Sequence, residues 1–150
     1  MKLKILGAIL IMTFATPAAF AKEVPTEHAI RAIIGEAENQ GYAGMLAVAC
    51  AIRNRKNLHG VFGLEQISEN SGIFIRITKR GPRRIRPAVV ADAKKAWDES
   101  ATNRVHSGSH WENVRAFGMP TWARHMKQVY EVGDHVFFAN ANMSKMSKGV

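Results

Sequence analysis

The chain has 150 residues, of which 47% are hydrophobic and 22% charged, and its formal net charge is +9 at pH 7. This length is enough for one domain with a hydrophobic core, and the composition excludes an intrinsically disordered chain. The single cysteine, Cys50, excludes an internal disulfide, so the core must hold by packing alone.

The first 21 residues have the layout of a secretory signal peptide. Lys2 and Lys4 precede an apolar stretch of about ten residues, and the segment ends on the small-residue sequence AFA. The apolar stretch is shorter than the roughly 20 residues that span a bilayer. We expect cleavage after Ala21 and export to the periplasm or the extracellular space, with membrane contact only through this segment. An uncleaved membrane anchor is the alternative.

The mature domain, residues 22–150, would carry a net charge of about +7, because the removed segment contains two lysines and no acidic residue. Such a charge favours an anionic partner. For an exported protein we expect an envelope polymer rich in phosphate or carboxylate groups, and we do not expect nucleic acid. A charge that serves only solubility remains the alternative.

Two helices are predicted in the N-terminal part of the mature chain. The first covers residues 26–40, because Pro25, Thr26 and Glu27 are typical of a helix start and Gly41 of a helix end. The second, at about residues 42–56, is apolar nearly all round, which predicts a buried central helix. The thiol of Cys50 lies inside this apolar run, so we expect a buried apolar group and not a nucleophile.

The rest of the chain mixes short strands with one more helix. We predict a strand at residues 73–78, a third helix at residues 88–101 and a hairpin whose turn is Gly133-Asp134. A basic loop between the strand and the third helix could follow an anionic polymer or simply be solvated. Its cationic residues are Lys79, Arg80, Arg83, Arg84 and Arg86. The predicted class is α+β, mainly helical, in a single domain.

Glu36 falls on the face of the first helix that we expect to be buried. Counted from Ala29 at about 100° per residue, the apolar residues occupy an arc from about 300° through 0° to 140°, and Glu36 lies at about 340°. A buried carboxylate is costly unless it is paired, hydrogen-bonded or protonated. Position alone leaves two hypotheses open: a general acid, or a structural partner of Arg53 or Arg55.

Two blocks of the sequence carry recognisable motifs. In IIGEAENQGYAGMLAVACAIRNR, a Glu-Ala pair, a glycine-rich link and an apolar helix ending in Asn-Arg follow one another, at Glu36, Ala37, Gly41, Gly44, Asn54 and Arg55. In SGSHWENVRAFGMPTWARHMKQVYEVGDHVFFA, the motifs are His-aromatic-x-Asn, Pro-x-Trp-Ala and Gly-x-His-x-Phe, at His110, Trp111, Asn113, Pro120, Trp122, Ala123, Gly133, His135 and Phe137. Together the blocks resemble the signature of the SleB-type cell-wall hydrolases, the spore cortex-lytic enzymes and their relatives. The resemblance does not cover the middle third of the chain.

The resemblance implies a peptidoglycan hydrolase with a lysozyme-like helical lobe and a small C-terminal β-hairpin. It implies cleavage of the β-1,4 bond between N-acetylmuramic acid and N-acetylglucosamine, with Glu36 as the single general acid and base. Substrate contacts are expected from Tyr42, His110, Trp111, Asn113 and Trp122. The two tryptophans could stack on sugar rings or belong to the core, and the histidine could bind substrate or only a backbone carbonyl.

The chemistry suits a glutamate in that role. Cleavage of a glycosidic bond requires a proton on the leaving oxygen while the sugar approaches an oxocarbenium ion. Because an acetamido group or the C6 hydroxyl of the substrate can stabilise the cation, a second enzyme carboxylate is not required. Glu112 is a conceivable second carboxylate, and a solvated neighbour of the site is the alternative. Both a lytic transglycosylase with an anhydro product and a muramidase fit this pattern.

Two other functions compete with this interpretation. A zinc amidase is disfavoured, because His106 and His110 are four residues apart but no HExxH motif is present. A non-catalytic basic module that binds cell wall or nucleic acid would explain the cationic loop but not Glu36. We expect a monomer that needs no metal and no cofactor.

Overall fold

The computed structural model describes residues 23–141 and has an α+β architecture. The predicted signal segment and its cleavage point lie outside the described residues. The helices are α1 Thr26–Ala37, α2 Gly41–Arg55, α3 Gly63–Gln66, α4 Pro87–Glu99 and α5 Val114–Phe117, with a 3-10 helix at Thr121–His125. The strands are β1 Ile67–Asn70, β2 Ile73–Thr78, β3 Gly81–Arg84, β4 His110–Asn113, β5 Met126–Val132 and β6 His135–Asn140.

Three helices form the core, close to where the sequence predicts them. The apolar arc of α1 is buried as expected, and every residue of α2 from Gly44 to Ile52 is buried. Helix α4 packs on both through Val89, Ala93, Ala96 and Trp97. The thiol of Cys50 is fully buried, as predicted, and burial raises its pKa.

Helix α1 ends at Ala37, three residues before the predicted end. Gln40 has left the helical conformation (φ −100°, ψ 3°), and Gly41 has a φ of +67°. A positive φ costs little at glycine, which lacks a Cβ atom, so the chain can turn sharply here into α2. The turn leaves the side chain of Gln40 available for contacts with the C-terminal part of the chain.

The first sheet is antiparallel, with strand order β1-β2-β3. The prediction of a strand at residues 73–78 is confirmed, but the prediction that the basic segment is a loop is wrong at residues 81–84, which form β3. Gly81, at φ +107°, reverses the chain so that Arg83 pairs in register with Arg76. The alternation of apolar and polar residues that signals a strand is missing from GPRR, because this edge strand is mostly exposed.

The second sheet is also antiparallel, with strand order β4-β6-β5. The predicted hairpin is confirmed, with its turn at Gly133-Asp134 between β5 and β6. The expectation of a hairpin alone is incomplete, because β4 pairs with the other edge of β6. Residues 135–139 of β6 are buried. A third strand therefore lets this buried strand complete its backbone hydrogen bonds on both sides.

Within residues 23–141, the helices lack the length and apolar composition needed to cross a membrane. The short helices α3 and α5 and the 3-10 helix were not predicted. Each has only four or five residues, too few to show a helical period.

Candidate functional site

A cleft of about 1230 Å³ lies between α1, the end of α2 and the two sheets. Glu36 lies on its wall, at the border of the buried face of α1 and partly exposed, rather than inside the core. Of the expected substrate-binding residues, four line the same cleft: His110, Trp111, Asn113 and Trp122.

Two N–H groups hold the carboxylate of Glu36. The backbone N–H of Gly63 donates to Oε1 at 2.7 Å, and the indole Nε1–H of Trp111 donates to Oε2 at 3.0 Å. Both donors come from outside α1, so the orientation of the carboxylate depends on α3 and on β4. Each carboxylate oxygen has a further lone pair with which it can accept another hydrogen bond.

A pair of glycines makes the first of these contacts possible. A Cβ atom on Gly35 would lie 2.0 Å from the carbonyl oxygen of Gly63, and one on Gly63 would lie 2.8 Å from Oε1 of Glu36. The backbones of α1 and α3 can therefore approach closely only because both positions lack a side chain. An isolated glycine inside a helical pattern, as at Gly35, is the sequence signal for such a close approach.

Among the described residues, neither Arg53 nor Arg55 forms an ion pair with Glu36. The guanidinium of Arg53 lies 3.6 Å from the ring centroid of Trp97 and donates to Ser100 Oγ at 2.8 Å. The guanidinium of Arg55 lies 5.8 Å from the ring centroid of Trp111. The hypothesis that Glu36 is a structural ion-pair partner of either arginine is therefore wrong.

Three of the expected site residues, His110, Trp111 and Asn113, lie on the four-residue strand β4. Trp111 pairs in register with the fully buried Phe137, which anchors the strand to the core. The side chain of Asn113 accepts a hydrogen bond from the N–H of Ala116 at 2.9 Å and so caps α5. Asn113 therefore has a structural contact as well as a position on the cleft wall.

Trp111 and Trp122 occupy the cleft in different ways. Trp111 is half-buried, and its N–H is used by Glu36. Trp122 is 41% exposed and makes an edge contact with Phe138, with the ring centroids 5.4 Å apart. The exposed ring of Trp122 is therefore better suited to stack on a ligand, and Trp111 to orient the carboxylate.

His110 precedes Trp111 on β4 and lies near Trp122. Its ring centroid is 5.7 Å from that of Trp122, and its Nδ1 is 3.0 Å from the hydroxyl of Ser109. Burial and the positive charge of Arg55 lower the pKa of His110, which favours the neutral imidazole. A neutral ring can both donate and accept a hydrogen bond.

Tyr42 does not join the other expected site residues. Its hydroxyl donates to Oε2 of Glu99 on α4 at 2.5 Å, and its ring lies 4.9 Å from the ammonium group of Lys95. Burial and the hydrogen bond to Glu99 raise the pKa of Tyr42 to about 12. In this structure Tyr42 links α2 to α4 and is not a wall of the cleft.

Glu112 also lines the cleft, next to Trp111. Its Oε1 accepts a hydrogen bond from the N–H of Asn113 at 2.9 Å. Glu112 is thus a second carboxylate in the same cleft as Glu36, held by a contact within its own strand.

His135 lines the cleft, although the sequence indicated it only as part of the Gly-x-His-x-Phe motif. It is 5% exposed, and its Nδ1 is buried with no hydrogen-bond partner in the described part of the chain. Burial lowers the pKa of His135, although the negative charges of Glu36, Asp134 and Glu112 oppose that shift. A buried imidazole nitrogen without a partner is costly, and such a group on a cleft wall is a candidate for ligand contact.

Gln40 fastens the β5–β6 turn to the end of α1. Its Oε1 accepts from the N–H of Asp134 at 2.9 Å, and its Nε2 donates to Oδ2 of Asp134 at 3.3 Å. Gly133 has a φ of +59°, and a Cβ atom there would lie 2.0 Å from Gln40 Oε1. The turn of the Gly-x-His motif therefore docks on the link between α1 and α2, and His135 lies close enough to Glu36 to feel its charge.

The loop before β4 is held by α2. Nδ2 of Asn54 donates to the carbonyl oxygens of His106 and Gly108 at 3.0 and 2.8 Å. Nε2 of His106 is 2.9 Å from the carbonyl oxygen of Ala47, and its Nδ1 accepts from the N–H of Gly108 at 3.0 Å. Burial lowers the pKa of His106, consistent with a neutral ring that donates through Nε2. These contacts make His106 a structural residue.

The described residues contain no group of three or more His, Cys, Asp or Glu side chains placed to hold a metal ion. Sequence patterns did not single out Phe62, which is 72% exposed, Phe117, which is 79% exposed, or the charged residues Glu38 and Arg76 as cleft residues. The sequence contains no signal for these residues, because both the exposure of the two phenylalanines and the position of the cleft depend on the tertiary structure. Arg83 and Arg86, which belong to the predicted basic segment, also line the cleft.

None of the protein-family models, curated proteins or solved structures with which the chain was compared matches it.

Proposed function

We propose that the protein cleaves peptidoglycan glycan strands at the β-1,4 bond between N-acetylmuramic acid and N-acetylglucosamine, with Glu36 as general acid and then base. The observation that carries the proposal is the carboxylate of Glu36, open to a large cleft and oriented by two N–H donors from separate elements. Among residues 23–141 no cation pairs with this carboxylate, so its charge is not neutralised by an ion pair.

The cleft has the features that a sugar polymer requires. It is open and lined by residues of both sheets, and the exposed aromatic residues Phe62, Phe117 and Trp122 are among them. Flat aromatic faces pack against the apolar faces of sugar rings, while the polar wall residues hydrogen-bond the hydroxyl and acetamido groups. His110 and Asn113 are the proposed polar contacts.

In the proposed reaction, Glu36 protonates the glycosidic oxygen as the bond to the anomeric carbon breaks. The developing sugar cation is stabilised by the acetamido group or the C6 hydroxyl of the substrate, so one enzyme carboxylate is sufficient. Glu36 then accepts a proton from the attacking hydroxyl. If this hydroxyl belongs to water, the product is a reducing sugar, and if it is the C6 hydroxyl, the product is a 1,6-anhydro sugar.

The architecture proposed for this activity is a lysozyme-like helical lobe, made by α1, α2 and α4, with the second sheet as the opposite wall. We further propose that the protein acts outside the cytoplasm as an exported, single-domain monomer. The support for this part is the signal-like sequence of residues 1–21 and the positive charge of the mature chain.

The test is Glu36→Gln with purified peptidoglycan as substrate and mass spectrometry of the released muropeptides. An amide cannot supply the proton, so turnover should fall at least about 100-fold, on the order of 3 kcal/mol of barrier. Stability should fall by only about 1 kcal/mol, because the amide oxygen keeps one N–H donor and its NH₂ group faces the other. The same spectra distinguish anhydro from reducing products.

Glu65→Gln is the matched control, since Glu65 is exposed on the neighbouring helix α3 and does not line the cleft. It should leave both turnover and melting temperature unchanged. A Glu36→Gln protein that is fully active would overturn the catalytic assignment. A wild-type protein that binds cell wall but releases no muropeptides would instead support the non-catalytic binding module.

A further inference from the structure

A group of arginines forms one wall of the cleft, which we call the basic wall: Arg76 on β2, Arg83 on β3 and Arg86 just before α4. Arg76 and Arg83 are directly opposite each other in the β2–β3 pairing, so their side chains project from the same face of the sheet. The segment predicted as a basic loop is therefore partly a strand with two faces, and only one face points to the cleft.

Glu38 holds two of these arginines in place. Its carboxylate is 3.0 Å from Nε of Arg76 and 2.7 Å from Nη2 of Arg83. Burial alone would raise the pKa of the Glu38 carboxyl, but the hydrogen bonds and charges of Arg83 and Arg76 outweigh burial and lower it. Glu38 is therefore ionised at neutral pH.

The basic wall keeps a net positive charge after this pairing. One carboxylate faces two guanidinium groups, and Arg86 adds a third cation that forms no ion pair within residues 23–141. The donors of Arg76 are used by Glu38, Gln66 and two carbonyl oxygens of α1, whereas Arg83 is half-exposed and Arg86 exposed. Arg83 and Arg86 can therefore meet an anionic ligand.

We propose that the basic wall is a subsite for the carboxylates of the peptide stems that a peptidoglycan strand carries, an inference that rests on the proposed function. Glu38, which organises the wall, follows Glu36 by two residues at the end of α1, and both line the cleft. A peptide stem is attached to the N-acetylmuramic acid at the scissile bond. A strand bound with that bond at Glu36 therefore brings the stem carboxylates to this side of the cleft.

The sequence offers a matched pair of variants, Arg86→Gln and Arg84→Gln. Both residues are exposed, they are two positions apart and their substitution changes the net charge equally. Only Arg86 lines the cleft, because Arg84 pairs in register with Ile75, on the opposite face of β3 from Arg83. Any difference between the variants therefore reports on the cleft and not on the total charge.

The experiment measures binding in a Glu36→Gln background, which leaves the strands intact. The probes are soluble glycan strands with peptide stems and the same strands after an amidase has removed the stems. Arg86→Gln should weaken binding of the peptide-bearing strands about fivefold, as expected for one partly exposed ionic contact, and Arg84→Gln should weaken it less than twofold. Neither variant should change binding of the stripped strands.

Equal weakening by the two variants, or equal binding of both kinds of strand by the parent protein, would overturn the subsite. A phosphate-rich wall polymer that competes with peptide-bearing strands through Arg86, while stripped strands bind as well as intact ones, would assign the wall to phosphate instead. Selective binding without any cleavage by the wild-type protein would keep the subsite and overturn the proposed activity. Cleavage by the wild-type protein, with equal binding of peptide-bearing and stripped strands, would support the proposed activity and overturn the subsite.

Discussion

The two sheets have the same number of strands and the same antiparallel pairing, and both line the cleft, yet they are built differently. In the second sheet, the central strand β6 is buried along residues 135–139, and its Phe137 is fully enclosed. In the first sheet, only Ile67 and Phe74 are buried, and β3 is mostly exposed. The second sheet is fixed by packing against the core, and the first is held largely by hydrogen bonds and ion pairs at its surface.

This difference matches what each sheet brings to the cleft. The second sheet supplies Trp111, whose N–H must lie within 3.0 Å of Glu36, and a packed strand can hold that distance. The first sheet supplies long arginine side chains, whose charge acts over a longer range and needs less accurate placement. In this protein, burial accompanies groups that require exact geometry, and exposure accompanies groups that act through charge.

The largest expected effect is on stability when the buried sheet loses its central side chain. Phe137→Ala removes a ring that contacts His106 and Trp111, and it should lower the free energy of unfolding by about 3–5 kcal/mol. Denaturant-induced unfolding measures this loss. Ile77→Ala, in the central strand of the first sheet and 59% exposed, should cost no more than about 0.5 kcal/mol. Similar losses of unfolding free energy in both variants would contradict the conclusion that only the second sheet depends on packing against the core.

An intermediate effect is expected for the histidine that ties α2 to the loop before β4. His106→Gln cannot reproduce both ring hydrogen bonds, so unfolding free energy should fall by about 1–3 kcal/mol at pH 7.5. The folded-state pKa of His106 is lowered from 6.5, so below that pH the unfolded chain binds more protons and stability falls. The variant should therefore show a weaker loss of stability between pH 6.5 and 5 than the wild type.

The first sheet should respond to acid in a lower range of pH. Glu38 has a lowered pKa, so its contribution is present above its ordinary value of 4.5 and is lost as the pH falls through the folded-state value. Glu38→Gln should thus lower the free energy of unfolding by a constant amount above about pH 5 and should remove this part of its pH dependence below about pH 5. The prediction for His106 would be contradicted if His106→Gln lost as much stability between pH 6.5 and 5 as the wild type.

The smallest effect concerns activity and depends on one N–H group. Trp111→Phe keeps an aromatic ring next to Phe137 but removes the donor to Oε2 of Glu36, so kcat should fall about tenfold, or about 1.4 kcal/mol of barrier. Trp122→Phe is the matched comparison, because Trp122 lines the cleft from the 3-10 helix and does not touch Glu36. It should raise KM and leave kcat nearly unchanged. Equal changes in kcat for both variants would mean that the hydrogen bond does not orient the carboxylate.

Periodicity in the sequence was sufficient for the helical core and for the hairpin. The apolar positions of α1 and the continuous apolar run of α2 recur within one or two turns, so their burial could be predicted from neighbouring residues. The same reasoning placed Glu36 within the buried face, whereas the structure places it at the border of that face and partly exposed. Periodicity failed for β3 and β4, whose four residues show no usable alternation.

By itself, the sequence determined the α+β class, the central helix, the β5–β6 turn and the position of Glu36 on α1, because each depends on residues close together in the chain. Only the tertiary structure decided which donors hold Glu36, since Gly63 is 27 and Trp111 is 75 positions away. It also decided that Tyr42 points to α4 and that Arg83 faces the cleft while Arg84 does not. Contacts over such separations arise from the packing of whole elements, and local propensity carries no information about them.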